Sequence, residues 1–116
     1  MRIFVLDDSK ERLHTFSSKL IGHVVFTAMT ASEAISILER EPPFTNIFLD
    51  HDLGDRVMVP SGPGTGYEVA QWLSQHPEKI NSCDIVIHSF NPDGAKNMAS
   101  LLPTARIVPG AWLYIK

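Results

Sequence analysis

Three short apolar segments of this chain end abruptly in acidic or imidazole side chains. The segments 3–6, 47–49 and 85–87 are followed by Asp7, Asp50 and His88. Apolar runs without polar alternation are typical of strands buried on both faces, as in a parallel sheet. The polar residue after each run then emerges at the carboxyl edge, where open α/β sheets hold their ligands. The sequence therefore predicts a parallel sheet with one shared polar site at that edge.

The composition is that of an ordinary globular domain. Apolar residues make up 44% of the chain and charged residues 20%, values that favour one packed core over disorder. The length fits one domain, so we treat residues 1–116 as a single domain. A formal net charge of −3 gives no general attraction to nucleic acid, and duplex nucleic acid is not expected as a partner.

The sequence gives no signal for export or for membrane insertion. Cys83 is the single cysteine and has no partner for an internal disulfide, which fits a reducing compartment. No apolar stretch approaches the roughly 20 residues that a membrane span needs. The N-terminal segment lacks the basic-then-apolar pattern of a signal peptide. We therefore expect a cytoplasmic protein with no membrane partner.

Strand-like and helix-like segments alternate along the chain. The predicted strands cover residues 2–7, 23–27, 46–50, 84–88 and 106–108, and helical periodicity follows each of the first four. Capping signals mark helix starts at Asp8, Thr30 and Asn91. The (βα)4β pattern predicts a three-layer α/β sandwich of the flavodoxin type with strand order 2-1-3-4-5. This order makes the first, third and fourth strands neighbours, so their polar ends should meet.

Two further segments have a predicted role. Residues 54–65 contain three Gly and two Pro without periodicity, and they exceed the usual ~2–6 residues of a βα loop. Because this loop leaves directly from the acidic cluster, we expect it to cover the substrate side of the site. Residues 111–115 are predicted to be an extended tail or edge strand. The strand-like stretch 112–115 could pair with a second copy and give a dimer.

Asp7, Asp8 and Asp50 form a predicted metal site. Three carboxylates brought together repel one another unless a cation neutralises them or a proton is shared. Hard carboxylate oxygens with room for water suit Mg²⁺ or Mn²⁺. Asp8 has a second, structural explanation as the cap of the first helix, and that role is compatible with metal binding.

Asp50, Asp52 and His88 are the predicted catalytic residues. His88 is the strongest acid–base candidate, because the reference pKa of histidine lies near neutral pH. Alternation along the chain puts Asp52 on the same side as Asp50 and puts His51 on the other, which favours Asp52. The structural alternatives are a turn hydrogen bond for Asp52 and a buried position for His51.

Ser89, Asn91 and Arg56 are the predicted substrate-binding residues. Ser89 and Asn91 precede the fourth helix, whose free N–H groups favour an anion. Arg56 in the long loop offers two parallel donors to an oxyanion. Simple capping of the helix explains Asn91 equally well. A solvated loop charge is the structural alternative for Arg56.

Asp7-Asp8 after the first strand and Asp50 after the third resemble the acidic pocket of two-component receiver domains. In that family the acids bind magnesium, and the aspartate at the third strand accepts a phosphoryl group. The chain departs from the pattern in three ways. Val108-Pro109-Gly110 lacks the lysine that receivers carry after the fifth strand, the fourth strand ends in His88-Ser89 instead of a lone Thr or Ser, and the C-terminal fifth helix is missing.

The departures form a second pattern, made of residues 49–54 (LDHDLG), 65–70 (TGYEVA) and 88–94 (HSFNPDG). Together the three motifs are similar to the cyclic-phosphate-processing receiver-like domains of bacteria and phages. The resemblance implies Mg²⁺- or Mn²⁺-dependent hydrolysis of a cyclic phosphate on a small nucleotide or an RNA end. Two alternatives stay open: a signalling module that accepts phosphate on Asp50, and a non-catalytic nucleotide-binding protein.

Overall fold

A computed structural model describes residues 1–54 and 56–114 and shows one sheet of five parallel strands. The strands are β1 (Arg2–Leu6), β2 (Val24–Ala28), β3 (Asn46–Leu49), β4 (Asp84–Ile87) and β5 (Arg106–Ile107). Their order is β2-β1-β3-β4-β5, which confirms the predicted flavodoxin-like topology. The strands β1, β3 and β4 each end one residue earlier than predicted. As a result, Asp7, Asp50 and His88 lie just beyond the strands.

Four helices connect the strands, and two of the three predicted capping residues are confirmed. The helices are α1 (Lys10–Lys19), α2 (Ala31–Arg40), α3 (Gly66–Ser74) and α4 (Pro92–Leu101). The side chains of Thr30 and Asn91 cap α2 and α4. At α1 the prediction of Asp8 was wrong, because Ser9 accepts the capping bond from the backbone of Arg12. None of the helices in the described parts of the chain is long and apolar enough to cross a bilayer.

Alternation along the strands divides the apolar side chains between two cores. The helices α2, α3 and α4 cover one face of the sheet, where Phe4, Leu6 and Leu49 are fully buried. The helix α1 covers the other face, over Val5 and Phe48. Helices on both faces of the sheet are the predicted three-layer arrangement.

The prediction of an extended tail was wrong for residues 111–113. These residues form a 3-10 turn that follows Gly110, whose φ of +68° turns the chain back toward the sheet. The turn places the ring of Trp112 against Phe16 and His88, which explains why burial overrides the strand-like sequence. Ile115 lies outside the described residues. A dimer through this tail stays a prediction, but residues 111–113 do not provide a strand for it.

Gly66→Ala should strongly destabilise the protein, because a Cβ on Gly66 would overlap the backbone carbonyl of Asp50. Backbone atoms at the end of a central strand cannot move aside cheaply. We expect a loss of about 3 kcal/mol or more in the free energy of unfolding, measured by urea denaturation. Gly62→Ala is the matched control, since a Cβ there meets nothing within 4 Å. Equal stability of the two variants would contradict this packing.

Candidate functional site

The register of the sheet brings the predicted polar residues to one point. The last residues of β1, β3 and β4 lie side by side, so the next residue of each strand emerges at the same edge. Asp7, Asp50 and His88 each offer one ligand atom there, and these atoms lie within 4.8 Å of one another. All three residues are buried. The predicted meeting of two aspartates and a histidine is therefore present in the fold.

A fourth residue of this site, Arg12 on α1, was missed in the sequence. Its guanidinium group donates to both oxygens of Asp7, at 2.8 and 2.9 Å, and reaches Oδ2 of Asp50 at 3.4 Å. It also lies 3.7 Å from Oδ1 of Asp8. The guanidinium group also lies over the ring of Trp112, 5.0 Å from the ring centroid. The (i, i+4) spacing of Asp8 and Arg12 was the available sequence signal.

His88 belongs to the cluster but does not reach the solvent. Its Nε2 lies 3.0 Å from Oδ2 of Asp7, and the residue is only 1% exposed. The imidazole packs against the rings of Phe16 and Trp112. Its other ring nitrogen, Nδ1, is buried and has no hydrogen-bond partner among the described residues. The side chain is therefore arranged to act on Asp7 or on a bound ion.

The two carboxylates of the cluster have opposite pKa shifts. Burial acts to raise the pKa of Asp7, but hydrogen bonds from His88 and Arg12 outweigh it and leave that pKa below its usual value. Burial raises the pKa of Asp50 to about 6, and the nearby charge of Asp7 adds to this shift, although His88 and Arg12 oppose it. The cluster thus holds one firmly ionised carboxylate beside one that gains a proton easily.

The donor set of this cluster fits a divalent cation. Two carboxylates and an imidazole nitrogen lie within 4.8 Å, and carboxylate oxygens are typical ligands of Mg²⁺ and Mn²⁺. Burial raises the pKa of Asp50, and a cation bound to this carboxylate would favour its ionised form. Asp8 lies outside this close group, so its part in metal binding stays a prediction.

Asp52 is engaged in a different network. Its Oδ1 accepts hydrogen bonds from His51 Nδ1 at 2.8 Å and from Asn91 Nδ2 at 3.0 Å, and its Oδ2 accepts from the backbone of Met58 at 2.7 Å. Burial acts to raise the pKa of Asp52, but the hydrogen bonds from Asn91 and His51 have the larger, opposite effect. The pKa of Asp52 is therefore below its usual value. Asp52 therefore ties the long loop to α4, and a catalytic role for it stays a prediction.

His51 holds the long loop 54–65 through a hydrogen bond with Ser61. The side chain is fully buried, and its Nε2 lies 2.9 Å from the hydroxyl of Ser61. The amide nitrogen of Asn97 on α4 donates to the oxygen of that hydroxyl. A Cβ on Gly94 would come 2.5 Å from Cγ of His51, so the glycine of α4 makes room for the imidazole ring. The buried position that the sequence left open for His51 is the one observed.

The predicted substrate-binding residues lie near the cluster in different states. Ser89 lines the cavity beside Asp50, although its hydroxyl also accepts from the backbone of Asn91. Asn91 caps α4 through Oδ1, and its amide nitrogen donates to Asp52 and to the backbone of Val59. Arg56 also lines the cavity, and it donates to two backbone carbonyls of its own loop. Of the three, Ser89 and Arg56 border the space above the acids.

An open cavity of about 620 Å³ lies above this edge of the sheet. Its wall combines acids with cations and apolar side chains. The acids are Asp8, Asp50 and Asp52, the cations are Lys10, Arg12 and Arg56, and the apolar side chains are Met29, Val57, Met58 and Phe90. The cavity therefore joins a metal-compatible cluster to groups that bind anions and to an exposed apolar rim. The long loop contributes Arg56, Val57 and Met58 to this wall, and its role as a cover over the substrate stays a prediction.

Comparison with protein families gives a match that covers most of the chain. Residues 1–104 match the model of the cyclic-phosphate processing receiver domain. Comparison with curated proteins gives no significant match.

Solved structures with a similar fold are receiver domains. The phosphorylated cyanobacterial phytochrome response regulator RcpA has a TM-score of 0.74 at 18% identity, over 98% of this chain and 84% of that one. The chemotaxis protein CheY4 of Vibrio cholerae has a TM-score of 0.70 at 19% identity, over 97% and 92%. The Mn²⁺-bound response regulator Rcp1 has a TM-score of 0.67 at 19% identity, over 93% and 79%. The sheet and helices thus follow the receiver arrangement.

Asp50→Asn should stabilise the metal-free protein at neutral pH. Burial raises the pKa of Asp50 from its ordinary value of 3.8 to about 6, so ionising this carboxylate costs stability as the pH rises between these values. The cost is complete above about pH 6 and fades below about pH 3.8. We expect a gain of about 1–3 kcal/mol in the free energy of unfolding at pH 7.5.

Urea denaturation in EDTA between about pH 3 and pH 8 measures this difference. The gain should shrink toward zero at the acidic end, because Asp50 is then protonated in both the folded and the unfolded chain. Glu39→Gln, on the exposed face of α2, is the control and should change stability by less than about 0.5 kcal/mol. A less stable Asp50→Asn variant at pH 7.5 would show that the fold does not disfavour the ionised carboxylate of Asp50.

Proposed function

The chain belongs to the cyclic-phosphate processing receiver domain family, and we propose that it hydrolyses a cyclic phosphate on a small nucleotide or an RNA end with the help of Mg²⁺ or Mn²⁺. The observation that carries the proposal is the meeting of Asp7, Asp50 and His88 within 4.8 Å below an open cavity. A cluster of ionisable groups with shifted pKa values at a cleft is a common mark of a catalytic site.

The carboxylates of Asp7 and Asp50, with His88 beside them, would hold the divalent ion. When bound, such an ion supplies charge to the phosphoryl oxygens and lowers the pKa of a water molecule. The solved structure of Rcp1 with Mn²⁺ concerns a protein of the same fold. Mn²⁺ accepts an imidazole nitrogen more readily than Mg²⁺ does, so we expect Mn²⁺ to support the higher activity.

Residues on the cavity wall would bind and orient the phosphate. Arg56 and Lys10 offer positive charge, and the Ser89 hydroxyl offers a hydrogen bond. His88 would keep Asp7 ionised and oriented, since its ring is buried behind that carboxylate. In the reaction, the water oxygen forms a bond to phosphorus and the bond from phosphorus to one ribose oxygen breaks. The proton that the water loses ends on that ribose oxygen, and the product is a phosphomonoester.

An apolar rim next to these charges supports a nucleotide as the substrate. Phe90 is 58% exposed, and it borders the cavity together with Val57 and Met58. The ring of Phe90 is held edge-on by Trp112, with the centroids 5.6 Å apart. An exposed aromatic ring at a phosphate-binding cavity is suited to stacking a nucleobase. The rim would therefore hold the base while the acids face the cyclic phosphate.

The proposal predicts turnover of 2′,3′-cyclic nucleotides or of RNA ends with a cyclic phosphate in Mn²⁺ or Mg²⁺. Asp50→Asn should lower kcat/KM by about a hundredfold or more, because it removes a charged ligand. Asp84→Asn at the far end of β4 should have little effect. Release of the phosphomonoester, followed by chromatography, is the measurement. Absence of turnover with every substrate, or full activity of Asp50→Asn, would refute the proposal.

Phe90→Ala should raise KM for a cyclic nucleotide by about fivefold to a hundredfold with a small change in kcat, as expected for a lost stacking contact of about 1–3 kcal/mol. A cyclic phosphate without a base should show no such change. Leu113→Ala is the matched control, because Leu113 is 64% exposed and does not line the cavity. An equal rise in KM for both substrates would show that Phe90 does not act by binding the base.

A second function, phosphate acceptance by Asp50, is favoured by the position of this aspartate directly after β3. Receiver domains of similar fold are described as phosphorylated or activated by beryllofluoride. Incubation with acetyl phosphate and Mg²⁺ separates the two functions. A stable gain in mass at Asp50 after acetyl phosphate would support phosphate acceptance. Release of a phosphomonoester from a cyclic phosphate, with the mass of the protein unchanged, would support hydrolysis. Tight nucleotide binding without either result would indicate a sequestering protein.

A further inference from the structure

We propose that Arg12 is a displaceable counter-ion: a divalent cation takes its place among the carboxylates, and the released guanidinium group then binds the phosphate of the substrate. This inference rests on the proposed function and assigns a role to a residue that the sequence patterns did not include. It makes Arg12 a phosphate-binding residue in the metal-loaded protein.

The first argument is that Arg12 already uses the atoms that a metal would need. Both oxygens of Asp7 accept hydrogen bonds from its guanidinium group, and His88 shares one of them. The Oδ1 atom of Asp50 accepts from the backbone of His51, and Oδ2 is the atom nearest to Arg12, at 3.4 Å. A divalent cation on these oxygens would therefore face a guanidinium group at contact distance. Like charges at that distance repel strongly, so the two cations exchange places.

The second argument is that Arg12 has somewhere to go. Its side chain is 33% exposed and lines the cavity, in contrast to the buried acids beneath it. Trp112 supports the flat face of the guanidinium group without forming a salt bridge that would hold it. Rotation about the side-chain torsions would turn the group toward the open space. A planar guanidinium group binds a phosphate through two parallel hydrogen bonds.

The third argument concerns charge. Residues 108–110, which follow β5, include no cation, and Arg12 brings positive charge to Asp50 from α1. Arg12 can pair with the carboxylates in the metal-free protein and with a phosphate in the metal-bound protein only if its guanidinium group moves. Metal binding and phosphate binding would then help one another, and each would raise the affinity for the other by the same factor.

Binding measurements test this without turnover. The affinity for Mn²⁺ is measured by the electron paramagnetic resonance signal of free Mn²⁺, for the wild type, Arg12→Gln and Arg12→Lys. Arg12→Gln should bind Mn²⁺ about tenfold more tightly, because no cation has to leave, and Arg12→Lys should lie between the two. Arg40→Gln, at an exposed arginine of α2, is the matched control and should equal the wild type. Equal or weaker Mn²⁺ binding by Arg12→Gln would overturn the proposal.

Two further readouts distinguish exchange from a general change in charge. With Mn²⁺ present, inorganic phosphate should bind Arg12→Gln about tenfold more weakly than the wild type, although the metal itself binds more tightly. In a Trp72→Phe background, Trp112 is the single tryptophan, and Mg²⁺ should change its emission as the guanidinium group leaves the ring. Unchanged emission at saturating Mg²⁺ would overturn the movement of Arg12, even if Arg12→Gln proved too unstable to study.

Failure of this inference can be told from failure of the proposed function. Turnover of a cyclic nucleotide together with identical Mn²⁺ affinity in the wild type and Arg12→Gln would refute the displacement of Arg12 and support the proposed hydrolysis. Displacement of Arg12 without turnover of any cyclic phosphate would support the role of Arg12 and refute the hydrolysis. Absence of Mn²⁺ binding in every variant would overturn both.

Discussion

The bond between Arg12 and the buried carboxylate of Asp7 is the interaction on which the site depends. Asp7 is fully buried, and an isolated carboxylate in that position would gain a proton. The guanidinium group and His88 reverse this tendency, so Asp7 stays ionised at the edge of the sheet. Asp50, a few ångströms away, receives weaker compensation, and its pKa rises to about 6. Two acids of the same type thus acquire different proton affinities from their surroundings alone.

The rest of the fold supports this cluster from two sides. The parallel register delivers Asp7, Asp50 and His88 to one point, and α1 brings Arg12 over them. The long loop, by contrast, is held by a separate set of hydrogen bonds, in which Ser61 pairs with His51 and the backbone of Met58 donates to Asp52. The polar residues that follow β3 therefore belong to two networks, with Asp50 in the charged cluster and His51 and Asp52 in the bonds that hold the loop.

The fold and most of the cluster followed from the sequence because they depend on local and periodic features. Apolar runs of strand length, helical spacing and capping residues such as Thr30 are read from neighbouring positions. Parallel topology then fixes which strand ends become neighbours. Individual boundaries were less accurate: Ser9 caps α1 in place of Asp8, since Asp7 accepts a hydrogen bond from the backbone of Ser9 and sets the turn one residue later. The 3-10 turn at 111–113 depends on packing against the sheet, which no local pattern records.

The sequence by itself determined the order of the strands and the meeting of Asp7, Asp50 and His88, because right-handed crossovers and strand register leave few alternatives. Only the tertiary structure decided what these groups do to one another. The position of Arg12 over the acids and the burial of His88 are set by how α1 and the 111–113 turn pack on one face of the sheet. The pKa values follow from that packing, since burial and charge act through distances in space and not along the chain.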